Sequence, residues 1–295
     1  GESLRFGWRA VGEGQPSEPY GTFYWSNVSG RESDNLKGDD TKILTDRVIS
    51  FINESTQRGQ PFFANLWLHT PHLPLVCADT FRQLYSHLSL EEQLLYGSIT
   101  SLDQQIGRLV DHLRVENIFD NTLIWFCSDN GPEIATPGSA GIFRERKRSL
   151  YEGGIRVPAF ICWPSEVAAG SQTNTPVVTS DFLPTIVRLV NAKYPDPTRP
   201  LDGIDLSESI LNDSWMSDRA IGFRYRNDKF SWMTNQYKLI STDSMQSFEL
   251  FDLLDDPSEK MNIYSENLAV AQEMQTDLLN WLSSCEASES GKDYQ

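Results

Sequence analysis

Two short, wholly apolar runs constrain the fold of this chain more than anything else in it. Leu123-Ile124-Trp125-Phe126-Cys127 stops abruptly at Ser128-Asp129-Asn130-Gly131, and Ala159-Phe160-Ile161-Cys162-Trp163 follows Ile155-Arg156-Val157-Pro158. An unbroken apolar run closed off by polar, glycine or proline residues predicts a buried strand. The first run ends in a carboxylate beside an amide, two hard oxygen donors suited to Ca2+ or Mg2+. Lys147 and Tyr151-Glu152-Gly153-Gly154 precede the second, and the paired glycines predict a tight turn. A metal-type pair and a lone amine therefore sit on loops at consecutive strand ends, where open α/β sheets bind ligands.

A third apolar run, Phe62 to Leu68, predicts another strand. It ends at His69-Thr70-Pro71-His72-Leu73-Pro74, where the prolines stop the strand and stiffen the loop. Two histidines at a proline-fixed strand end are candidates for function, with His69 and His72 as alternatives. Helices separate these strands. Thr41 to Glu54 carries one apolar face behind the acidic Asp39-Asp40, which suits a helix start. Ser89 to Val115 opens with the capping box Ser89-Leu-Glu-Glu92 and places leucine and isoleucine at helical spacing from Leu95 to Leu113. Val177 to Val190 reads as a helix that Asp181 could cap, with Pro184 near its start. Helices alternating with strands argue an α/β fold with a mostly parallel sheet flanked by helices.

The composition shifts near residue 215. Four short runs between Arg219 and Asp252, separated by polar turns, predict a smaller antiparallel sheet. Glu266 to Leu282 predicts a closing helix, followed by a polar, frayed tail from Glu286 to Gln295. The expected division is residues 1–214 as an α/β domain and 215–295 as an α+β subdomain.

Bulk charge narrows the partners. The net charge is −16 over 295 residues, and the one basic cluster is Arg144 to Arg148, so nucleic acid is not an expected partner. An anion would have to be bound locally rather than attracted by the whole surface. No apolar run is long enough to span a membrane. The four cysteines, Cys77, Cys127, Cys162 and Cys285, are far apart, which fits free thiols rather than a disulfide framework. Asn27-Val-Ser29, Asn53-Glu-Ser55 and Asn212-Asp-Ser214 are weak glycosylation sequons.

Taken together, Ser98 to Gly131 with its SDNG end, Lys147 with Leu-Tyr-Glu-Gly-Gly-Ile-Arg-Val-Pro158, the His69-Thr-Pro-His72-Leu-Pro loop, and the C-terminal Pro200-Leu-Asp-Gly203, Tyr237-Lys-Leu239, Glu249-Leu-Phe-Asp-Leu253, Asp256-Pro-Ser-Glu259 and Asn262 resemble the sulfatase family, of the alkaline-phosphatase-like superfamily. The resemblance covers most of residues 40 to 265. It implies a sulfuric ester hydrolase of arylsulfatase type acting on a sulfated small molecule or glycan with Ca2+, or Mg2+, and a secreted, lysosomal or periplasmic setting. It implies Asp129 and Asn130 as metal ligands, and Lys147 as the sulfate-binding lysine, picked from its basic run by register. It favours His72 over His69 as the histidine that binds sulfate and protonates the departing alkoxide. Glu152 and Arg156 would hold the loop after Lys147, and Ser26 or Asn27 would correspond to a substrate-side serine or its neighbour. In such enzymes the hydrated aldehyde of a formylglycine, made from Cys or Ser in C/S-x-P-x-R, attacks sulfur. None of the four cysteines has that context, and Ser165 does not supply it. The nucleophile and the early Asp-Asp metal pair are therefore expected upstream of this chain, which alone would be inactive. The alternatives are a phosphoester or phosphonate hydrolase of the same superfamily, and a non-catalytic paralogue acting as a binding protein.

Overall fold

The computed structural model describes residues 5–6, 24–27, 30–194, 201–215 and 219–292, which form two compact units. The first comprises residues 1–122 and 133–139, the second 123–132 and 140–295. The sequon at Asn27 and the Pro200 end of the Pro200–Gly203 motif lie partly outside the described residues.

In the first unit, two strand pairs, β1 (Arg5–Phe6) with β4 (Leu75–Val76) and β2 (Trp25–Ser26) with β3 (Gly30–Arg31), accompany three helices, α1 (Asp40–Gln57), α2 (Asp79–Arg82) and α3 (Leu90–Val115). Asp39 caps α1 by accepting from the Lys42 amide at 2.9 Å, as its place before the apolar face predicts. Ser89 and Glu92 form the predicted capping box on α3. The two long helices pack together, and Asp46 of α1 is tied to Arg108 of α3 and to Lys42. Burial opposes ionisation of Asp46, but hydrogen bonds from Lys42, Asn35 and Arg108 outweigh it and hold the carboxyl at about 2. Leu75, Cys77, Leu94 and Leu95 form a small core. Asn53 of the second sequon lies within α1 and bonds the His112 ring at 2.8 Å.

The predicted strand over residues 62–68 is not formed: this stretch has no regular structure, with Phe63 66% and Trp67 82% exposed. An isolated strand leaves its backbone groups unpaired, so an apolar run becomes a strand only where a neighbour completes the ladder.

The second unit contains β5 (Ile124–Cys127), α4 (Glu152–Ile155), β6 (Ala159–Cys162), α5 (Phe182–Leu189), α6 (Ser207–Asn212), β7 (Ile221–Tyr225), β8 (Lys229–Met233), β9 (Tyr237–Ser241), β10 (Glu249–Asp252) and α7 (Leu268–Glu289). β7 to β10 form the predicted antiparallel sheet in sequential order. Its two faces are covered differently. Leu239, Leu250 and Phe230 meet Ala271, Met274, Leu278 and Leu282 of α7, where each fully buried leucine contributes about 2 kcal/mol of transfer free energy. Ile221, Met233, Ile240 and Phe251 pack instead against Leu150 and Tyr151. The loop after Lys147 thus shares a core with the C-terminal sheet.

Two local expectations change and a third is extended. β5 and β6 pair antiparallel and are half-buried, with Phe160 47% exposed, because each has only one strand neighbour among the described residues. Asp181 does more than cap: it accepts the Val178 amide at the start of the 3-10 turn Thr179–Asp181 that leads into α5, as expected. Its buried carboxylate takes both guanidinium nitrogens of Arg219, at 2.5 and 2.7 Å, and the amides of Val178 and Ile204. Finally, α7 runs on to Glu289: the apolar period ends at Leu282, but the alanine and glutamates beyond it are good helix formers.

Candidate functional site

Because β5 and β6 are antiparallel, with Cys127 opposite Ala159, the chain leaves β5 and re-enters β6 at the same end of the pair. Everything between, residues 128–158, leaves from and returns to that end. The two sides of this excursion are joined backbone to backbone. The Gly131 amide donates to Gly154 O at 2.9 Å, Lys147 N to Pro132 O at 3.1 Å, Gly153 N to Arg144 O at 2.8 Å and Ser128 N to Pro158 O at 3.2 Å. Such bonds require close backbone approach, and this is what the glycines supply. A Cβ on Gly131 would lie 1.9 Å from Gly153 O, one on Gly153 2.2 Å from Glu145 O, and one on Gly154 2.1 Å from Ser149 O. The paired glycines were expected to make a tight turn. They lie instead in the short helix α4, and no positive φ is recorded at either.

This frame ties the backbone that carries Asp129 and Asn130 to the backbone at Lys147. Asn130 donates its side-chain N–H to Gly131 O at 2.9 Å, which leaves its amide oxygen as the outward acceptor. Asp129 is exposed, and no hydrogen bond or ion pair to it is recorded. An uncommitted carboxylate beside an oriented amide oxygen fits a hard divalent cation. These are two ligands only: among the described residues, no three His, Cys, Asp or Glu side chains gather to hold an ion. Lys147 is half-buried, its backbone bonded to Pro132 two residues beyond Asn130.

Beneath the frame lies a buried ionic cluster. Glu152 is 2% exposed, and its Oε1 stands 2.9 Å from Lys238 Nζ of β9. Lys238, fully buried, also stands 2.9 Å from Glu259 Oε1, in ion-pair range though off the hydrogen-bond line. Glu259 Oε2 accepts the Glu152 amide at 2.6 Å. Burial pushes the Glu259 carboxyl up, against the pull of Lys238. Arg156 approaches Glu152 Oε2 at 3.5 Å. Arg144 lies 3.8 Å over the Tyr151 ring and donates to Glu259 O at 3.2 Å. Tyr151 donates its phenol proton to Glu249; burial first, and then that carboxylate, raise its pKa. The sequence assigned loop-holding to Glu152 and Arg156 but did not connect them to Lys238 and Glu259. The signal available was an ionic side chain at an inward register position of a strand, between Tyr237 and Leu239.

The histidine loop belongs to the first unit and is built differently. His72 is exposed, its Nδ1 2.7 Å from Leu73 O, and its amide donates to His69 O at 2.8 Å. The two imidazoles lie 5.1 Å apart. The loop's recorded side-chain ties to α1 are two long bonds to Asp40, from the His69 amide and the Thr70 hydroxyl, both at 3.3 Å. Ser26 lies in β2, and Asn27 is exposed in the turn that follows it. Burial pushes the Cys77 thiol up to about 11 and raises Cys127 and Cys285 as well, which disfavours a nucleophilic thiolate at these three.

An α/β chain of this build superposes on Ps i-CgsB in complex with k-i-k-neocarrahexaose with a TM-score of 0.77, at 29% identity over 82% of this chain and 54% of that one. Such neighbours define an α/β protein of the alkaline-phosphatase-like kind. The chain belongs to the sulfatase family: residues 5–192 match the family described as Sulfatase, and residues 138–287 match N-sulphoglucosamine sulphohydrolase, C-terminal. Among relatives, a sulfatase of Formosa agariphila is 28% identical over 282 residues, 82% of this chain and 50% of that protein. The N-acetylgalactosamine-6-sulfatase of Mus musculus is 32% identical over 204 residues, 67% of this chain and 38% of that protein. The chain spans half or less of the length of these relatives.

Proposed function

We propose that this chain is part of a sulfuric ester hydrolase that cleaves a sulfate monoester on a glycan or small molecule, with residues 1–214 contributing to the catalytic α/β domain and 215–295 forming its C-terminal subdomain. The observation that carries the reading is the frame that joins Asp129 and Asn130 to Lys147 through the Gly131–Gly154 and Lys147–Pro132 bonds. Sulfuryl transfer concentrates negative charge on the sulfate oxygens, and fixed positive charge in place before the reaction stabilises it without reorganisation. Asp129 and Asn130 would hold Ca2+, or Mg2+, which supplies Lewis-acid charge stabilisation when bound. Asn130 contributes oxygen without charge, which limits the negative charge around the ion. Lys147 pairs with a sulfate oxygen. His72 binds sulfate and delivers a proton to the departing alkoxide oxygen. No residue among the 295 stands in the C/S-x-P-x-R context, so the nucleophile is assigned to another part of the whole protein. A glycan as substrate is supported by the structural neighbour solved in complex with k-i-k-neocarrahexaose, 29% identical to this chain.

The test is aryl sulfate hydrolysis by the complete protein carrying Lys147→Ala or Asp129→Ala. Each should lower kcat at least about a hundredfold, the scale for loss of one fixed electrostatic group. Asp129→Ala should also weaken binding of Ca2+ measured by calorimetry. Unchanged kcat in both variants would sink the assignment.

A further inference from the structure

Nothing in the reading above uses Lys238, although it is among the largest fully buried side chains of the described residues and it is ionic. It extends from β9 to stand between two carboxylates that come from segments far apart in sequence. Glu152 opens α4, five residues beyond Lys147; Glu259 ends the Asp256–Glu259 turn. That turn is itself fastened, since Asp256 Oδ2 accepts the amides of Lys260 at 2.6 Å and Met261 at 2.8 Å. Glu259 is held at φ +54°, a left-handed conformation that a glutamate adopts only under constraint. In that pose one oxygen reaches Lys238 and the other takes the Glu152 amide. Charge is balanced, with Lys238 and Arg156 facing Glu152 and Glu259.

A buried ion cluster is weak evidence for stability, because desolvation offsets most of the attraction; its best-attested use is to fix one geometry among several. Here the geometry fixed is that of Glu152. The next two residues, Gly153 and Gly154, press on the carbonyls of Glu145 and Ser149 and carry the bond to Gly131, next to Asn130.

We propose that Lys238 is a positioning residue for sulfate hydrolysis: through Glu152 and Glu259 it sets where the Asp129–Asn130 pair and Lys147 stand. The C-terminal sheet is then part of the catalytic apparatus. This rests on the reading of the site given above. Lys238 touches no substrate in this account; it acts through the frame.

The experiment compares Lys238→Met and Glu259→Gln with Lys147→Ala in the complete protein, assayed on an aryl sulfate well below each variant's melting midpoint. Displacing a catalytic group by a fraction of an ångström lowers turnover more than binding, so kcat should fall about tenfold or more while KM moves less than about threefold. Glu259→Gln keeps the volume and leaves Lys238 paired with Glu152, so it serves where Lys238→Met fails to fold. The double variant Lys238→Met/Glu152→Gln, which removes one charge of each sign, should regain part of the lost kcat. A merely structural lysine predicts a lower melting midpoint with kcat and KM of the folded enzyme unchanged, and that result overturns the proposal. If Lys147→Ala depresses kcat and the Lys238 and Glu259 variants do not, the proposal alone fails. If Lys147→Ala has no effect either, the functional reading falls and takes this proposal with it.

Discussion

The two loops that carry the candidate site residues are held in opposite ways. Residues 128–158 leave and re-enter one strand pair at the same end, and backbone bonds, abutting glycines and a buried ionic cluster knit them together. In residues 69–74 His69, Pro71 and His72 are exposed, with a turn bond at His72 and two long bonds to Asp40, and the loop is anchored where Leu73 packs on the small core and Pro74 is buried. In sequence both were the same kind of object, a polar loop closing an apolar run. What separates them is whether the chain supplies partners for the backbone. The frame finds partners in its own return strand and in the C-terminal sheet; the run before the histidines has no strand partner among the described residues and leaves Trp67 82% exposed. Electrostatic catalysis needs groups fixed in advance, so on the proposed reading Asp129, Asn130 and Lys147 stand on the prepared part of this chain.

Three substitutions probe this contrast, in decreasing order of effect. Gly131→Ala forces a methyl to within 1.9 Å of a backbone carbonyl that is itself held in α4. It should cost about 3 kcal/mol or more, above the usual range for overpacking, because no flexible side chain can give way. Urea unfolding measures it, and a loss below about 1 kcal/mol would mean that the frame is looser than described. Tyr151→Phe removes the proton donor to the Glu249 carboxylate and should cost about 1–2 kcal/mol. The pH dependence has a definite sign. Folding raises the Tyr151 pKa above its ordinary value near 10, so its contribution is intact below pH 10 and is lost as pH rises beyond it. The parent should therefore lose stability above pH 10 more steeply than Tyr151→Phe, and parallel curves would refute the assignment. Thr70→Val deletes one of the long bonds to Asp40 and should change stability by less than about 0.5 kcal/mol. A larger loss would show that the histidine loop is built as firmly as the frame.

Much of this was legible in the sequence. The capping box at Ser89, the cap at Asp39, and the four strands and last helix of the C-terminal sheet follow from local periodicity and end chemistry, which act over a few residues. The Asp129-Asn130 pair and Lys147 were picked out as candidates from strand-end position and family resemblance. What was not legible depends on contacts distant in sequence. The glycines at 153 and 154 look like turn residues until Gly131 is seen against them. Asp181 is a helix cap, but nothing near it in sequence shows that Arg219 also takes both its oxygens. Lys238 looks like a surface lysine until Glu152 and Glu259 surround it. The run at 62–68 has the composition of a strand, but a strand needs a neighbour, and no run of residues specifies its own.

Amide hydrogen exchange tests the central claim most directly, because it reads the frame without requiring turnover. The amides of Gly131, Gly153 and Lys147 are bonded across the excursion to Gly154, Arg144 and Pro132, whereas that of His72 closes an exposed turn. The frame amides should exchange only with the opening that releases core residues such as Leu239 and Leu250, and His72 should exchange orders of magnitude faster by local fluctuation. Exchange at Gly131 and Lys147 as fast as at His72 would contradict the account, since the backbone that carries Asp129, Asn130 and Lys147 would then not be fixed in advance.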